Sequence, residues 1–113
     1  MSDSSIEKWA MRQRQLAADY AKAKAEQDYI DEYKKSALSI LMKKYEKEGF
    51  ASAAAQEREA RADSEYIALL DGLKAAVEAA ERLRWELRTN EMTIEIWRSQ
   101  QASRRAEQKG YGA

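Results

Sequence analysis

The sequence predicts an all-α fold: a long antiparallel helical hairpin of coiled-coil character, with a short helix near its turn, assembling as a homo-oligomer. Three observations predict it. The 113 residues include no Pro, Cys or His and only four Gly, so helix breakers are scarce. Charged residues make up 35% of the chain, and 20 basic side chains balance 20 acidic ones, so net self-repulsion is absent. Alanine occurs 21 times, whereas Leu, Ile, Val and Phe together occur 16 times, too few to enclose a globular core. These large side chains must line seams between long helices, within one helical domain spanning residues 1–113.

The first helix is expected over residues 6–47, after a cap from Ser4 or Ser5, because no strong breaker precedes Gly49. At about 1.5 Å per residue it would run roughly 60 Å and needs a neighbour along its length. Trp9, Gln13, Leu16, Tyr20, Ala23, Gln27, Ile30, Lys34, Ala37 and Leu41 alternate steps of four and three. The N-terminal half of this seam is thin and polar. From Ile30 onward it is expected to widen through Tyr33, Leu38, Ile40, Met42 and Tyr45, and to pack more firmly.

Gly49 suits a left-handed C-cap, with Lys43, Lys44 and Lys47 placed to complement the helix dipole. Ser52 can cap a short helix over residues 53–61. Asp63 and Ser64 form a second N-cap signal, opening a third helix over residues 65–108, with residues 109–113 as a flexible tail.

That third helix carries the most regular pattern. Leu69, Leu73, Ala76, Ala80, Leu83, Leu87, Asn90, Ile94, Trp97 and Gln101 hold the four-three spacing without interruption, which is a coiled-coil seam. Asn90 at a seam position either fixes register or oligomer state, or sits at a partly exposed stutter. At about 100° per residue, Trp85, Met92 and Ile96 fall within roughly 40° of one another, nearly opposite the seam. A helix apolar on two faces needs two neighbours, so these three are the candidate oligomer interface. Singly exposed apolar residues are the plainer alternative.

Composition narrows function. Without Cys or His there is no thiol nucleophile, imidazole base, disulfide or Cys/His zinc site. The glycines at 49, 72, 110 and 112 are too dispersed for a phosphate loop. The Asp and Glu residues lie among Lys and Arg in the manner of solvated helix faces, so neither a metal nor another cofactor is expected. No enzyme is expected. No apolar run of transmembrane length occurs, and the first residues lack the layout of a signal peptide, so a soluble cytoplasmic protein is expected. Binding at a membrane surface is disfavoured by an Ala-rich apolar stripe with interleaved acids.

Local charge is uneven. Lys34, Lys35, Lys43, Lys44 and Lys47, with Tyr45 among them, form a candidate single-stranded-DNA contact, since cations neutralise phosphates and aromatics stack on bases. Dipole compensation and solubility account for the same lysines without DNA. Repetition of a modest patch around an oligomer would raise its avidity.

The run Lys34-Lys35-Ser36-Ala37-Leu38, leading to Tyr45 and Gly49, resembles the phage recombination mediators of the UvsY type. So does the later order of elements, from Asp63-Ser64-Glu65-Tyr66 through a Leu-seamed helix to Ile94-Glu95-Ile96-Trp97-Arg98. The likeness covers roughly residues 30–106. It implies an oligomeric mediator, acting in a host bacterial cytoplasm, that binds single-stranded DNA, displaces single-strand-binding protein and helps load a RecA-like recombinase. The alternative is a coiled-coil structural or regulatory module that meets protein partners only, such as a phage protein directed at a host factor.

Overall fold

The computed structural model describes residues 3–112 and contains three helices, α1 (Asp3–Lys47), α2 (Ala53–Ala62) and α3 (Ser64–Gly112), with no strand among the described residues. The chain divides into two compact units. One comprises the described residues of 1–21 and 82–113, and the other residues 22–81. In each unit a segment of α1 packs antiparallel to a segment of α3.

Both four-three seams are the faces the hairpin covers. From Trp9 to Leu41 on α1, and from Leu69 to Gln101 on α3, every seam position is buried or half-buried. In the first unit Leu16 is buried on α1, and Leu83, Leu87, Ile94 and Trp97 are half-buried on α3. In the second, Leu41, Ala60 and Tyr66 form the core, with Leu38, Met42 and Tyr45 packed against it. Ala60 is completely buried, so α2 touches the core through a residue small enough to let its backbone come close.

The widening expected after Ile30 divides in two. Leu38, Met42 and Tyr45 do turn toward the core, because α2 lies on their side of α1. Tyr33 and Ile40 fall on the other flank of the seam and remain in solvent.

The helix boundaries have specific causes. Gly49 adopts φ 108° and closes α1 with two hydrogen bonds, Phe50 N–H to the Tyr45 carbonyl at 3.1 Å and Gly49 N–H to the Glu46 carbonyl at 3.1 Å. These bonds form a Schellman cap, and its usual apolar contact is supplied by the edge-on Tyr45 and Phe50 rings, 5.8 Å apart. Ser52 caps α2 by accepting from Ala55 N–H at 3.1 Å. At the start of the chain α1 is already helical at Asp3, so Ser4 and Ser5 lie inside its first turn. At the other end α3 continues through Gly112, four residues beyond the expected Gln108 boundary, without Pro or a positive φ to stop it. Of the expected tail, 109–112 is helical, and Ala113 lies outside the described residues.

Two glycine substitutions should move stability in opposite directions. At Gly49 a side chain meets no neighbour, yet the positive φ makes Gly49→Ala cost about 1–2 kcal/mol. At Gly72, inside α3 with open space around it, Gly72→Ala should add roughly 0.5–1 kcal/mol. Urea denaturation of the two variants beside the parent measures both signs.

Candidate interaction surfaces

Three places concentrate polar or apolar chemistry, and each arises from the register of the seams. The first is Asn90, 6% exposed in the α3 seam. Its amide donates to the Trp9 carbonyl at 2.9 Å and to Gln13 Oε1 at 2.9 Å, and Gln13 in turn donates to Glu91 Oε1 at 3.0 Å. A buried amide without partners would be costly. Here both N–H groups are used, and only one alignment of α1 against α3 allows it. Asn90 therefore fixes register within the chain. Nearby, the Trp97 indole N–H is buried without a partner, so Trp97 serves the seam by its area alone.

The second place is the back of α3 in the same unit. Trp85, Met92 and Ile96 are 53%, 59% and 55% exposed. The Arg84 guanidinium lies 4.9 Å from the Trp85 ring and that of Arg88 5.8 Å, so two cations flank the indole. The Leu87, Met92 and Ile96 side chains line a shallow apolar depression beside them, rimmed by Arg84, Arg88, Glu91 and Glu95.

The third is the lysine-rich end of α1, where the six side chains expected to bind DNA have different surroundings. Lys34 pairs with Asp31 at 3.0 Å and Lys35 with Glu32 at 3.1 Å. The Asp31 carboxyl is held below its ordinary range by the Lys34 hydrogen bond and charge. Lys44 and Tyr45 reach across to Asp63, at 3.4 Å and 2.6 Å. Lys43 and Lys47 are exposed and form no ion pair among the described residues.

Asp63 is buried at the junction of the three helices. Its N–H closes α2 on the Ala60 carbonyl, its Oδ1 accepts Glu65 N–H at 2.8 Å to cap α3, and its Oδ2 accepts from Tyr45 and Lys44 on α1. These hydrogen bonds, led by that of Tyr45, hold its carboxyl below the ordinary 3.8. Tyr45 is pushed up from 10.0 to about 12, chiefly because its hydroxyl donates to Asp63. Sequence reasoning found Asp63 as a cap but missed this lock, since nothing local ties Tyr45 to a carboxylate 18 residues away.

No group of three or more metal-binding side chains occurs among the described residues, and no helix there is long and apolar enough to cross a membrane. Comparison with known proteins finds no matching family model, no matching curated protein and no matching solved structure. The fold itself defines the class, an all-α helical-hairpin protein.

The Asp63 lock should shape stability at both ends of the pH scale. A depressed carboxyl stabilises the fold above 3.8, and that contribution disappears as pH falls through its lower folded value. A raised phenol stabilises below 10.0, and its contribution disappears between 10.0 and about 12. Denaturation curves across pH should show Tyr45→Phe losing the alkaline decline and Asp63→Asn flattening both limbs.

Asn90→Ala should cost about 1–3 kcal/mol by leaving Gln13 short of a partner. A double-mutant cycle with Gln13→Ala should give a coupling of at least about 0.5 kcal/mol. Additive losses would mean the amide does not hold the register.

Proposed function

We propose that this chain is a non-enzymatic assembly module, a helical hairpin that meets copies of itself or a protein partner through apolar faces its own packing leaves uncovered. One observation carries the reading. Trp85, Met92 and Ile96 stand in solvent on the back of a helix whose other face is already occupied by α1. Large apolar side chains grouped on one face are characteristic of interfaces, and Trp and Arg are among the residues enriched at their energetic centres. The Asn90 bonds are satisfied within the chain, so partner choice falls to this outer face.

A second reading keeps the likeness to the UvsY-type mediators, with single-stranded DNA, single-strand-binding protein and a RecA-like recombinase as partners. Lys43 and Lys47 favour it, being exposed cations outside any ion pair among the described residues. Two such cations at one helix end make a weak phosphate site, and repetition in a homo-oligomer would make it a strong one. The engagement of Lys44 and Tyr45 by Asp63 favours the assembly reading over this one.

Sedimentation and oligonucleotide anisotropy test both. Trp85→Ala with Ile96→Ala should lower the oligomeric mass while leaving helicity intact, since truncating packed Trp and Ile costs about 2–5 kcal/mol each. A wild-type chain that stays monomeric at tens of micromolar, alone and with candidate partners, would sink the assembly reading. Saturable oligonucleotide binding that weakens with salt, and is lost in Lys43→Ala with Lys47→Ala, would establish the second.

A further inference from the structure

A second four-three stripe runs along α1, displaced by one position from the seam and so about 100° around the helix. It comprises Glu26, Tyr29, Tyr33, Ser36, Ile40, Lys43 and Lys47, all exposed. Tyr29 is 66% exposed, Tyr33 42% and Ile40 60%, so neither α2 nor α3 covers them. The two tyrosine rings stack at 6.0 Å with an interplanar angle of 4°, which orders this face before anything binds. Beside it, helix geometry places Ala68, Gly72 and Ala75 of α3, small exposed residues that leave approach to α1 unobstructed.

We infer that this face of α1 binds the same face of a second copy, antiparallel, about a two-fold axis passing close to Lys34 and Lys35. Charge decides the occupant. Over residues 26–43 the stripe carries an acid at its N-terminal end and a lysine at its C-terminal end, with Tyr29, Tyr33, Ser36 and Ile40 between them, while Lys22 and Lys47 lie at its exposed margins. An antiparallel copy reverses that order. In the mixed layers of an antiparallel coiled coil, Tyr33 then meets the partner's Ser36, Tyr29 meets the partner's Ile40, and Glu26 meets the partner's Lys43. Each layer occurs twice. A parallel copy would instead set Lys43 against Lys43 and Glu26 against Glu26. Nucleic acid is disfavoured because Glu26, Asp28, Asp31 and Glu32 surround the tyrosines. The inference stands apart from the Trp85 face, which lies on another helix in the other unit.

The test uses full-length chains carrying Trp85→Ala and Ile96→Ala, so that the other apolar face contributes nothing. Sedimentation equilibrium should show a dimer in this background. Tyr33→Glu with Ile40→Glu should weaken it at least about tenfold, with helicity retained because both side chains stand in solvent. Lys43→Glu alone and Glu26→Lys alone should each weaken it roughly threefold or more, and the two together should restore it. A monomeric background, an unchanged mass in the Tyr33 and Ile40 variant, or no restoration by the paired reversal would each overturn the inference. Loss of oligonucleotide binding without loss of mass would assign the face to nucleic acid instead.

Discussion

The seam between α1 and α3 governs the rest of the structure, because this chain has few large apolar side chains to give to anything else. Fifteen of the sixteen Leu, Ile, Val and Phe residues are distributed over two long helices, with alanines between them, and Phe50 lies at the turn. A stripe so lean stabilises by close approach more than by area. Its helices must therefore be aligned correctly along their whole length. The Asn90 amide in one unit and the Asp63 carboxylate in the other meet that need with directional bonds. Among the large apolar residues left exposed, Trp85, Met92 and Ile96 on α3 and Tyr29, Tyr33 and Ile40 on α1 each share one helix face.

Much of this fold was legible in the residues, for a physical reason. A helix pair repeats its contacts every seven residues, so the seam from Leu69 to Gln101 could be read without knowing its partner, and its burial follows that reading position by position. Gly49, Ser52 and Asp63 announced their caps because capping chemistry is local. Tyr33 and Ile40 were harder. One residue of displacement moves a side chain from seam to flank, and only the position of α2 shows which flank is covered. Helices α1 and α3 run past their expected ends, to Asp3 and Gly112, since no Pro and no positive φ stops them there.

The candidate sites were less legible than the fold. Lysines in sequence look like a patch, but Lys34 and Lys35 are held by acids one turn away and Lys44 by an acid from another element. Local ion pairing on exposed helices is worth little energetically, yet it reduces the positive field a phosphate would meet. Of these lysines, Lys43 and Lys47 remain outward without an ion pair among the described residues. The balanced net charge leaves association to shape, register and local charge pairs more than to long-range attraction.

The Asp63 lock also bears on the order in which this chain acquires its structure. The Tyr45 and Asp63 partners are 18 residues apart, whereas Asn90 and Trp9 are separated by 81. Closing the shorter loop sacrifices less chain entropy, and the Schellman cap at Gly49 already bends the chain back toward it. The three-helix junction is thus a natural nucleus, from which the arms zip outward and each new turn shortens the remaining loop. Growth from one local closure means that distant pairs such as Asn90 and Trp9 meet only after the intervening chain has been shortened by the contacts before them.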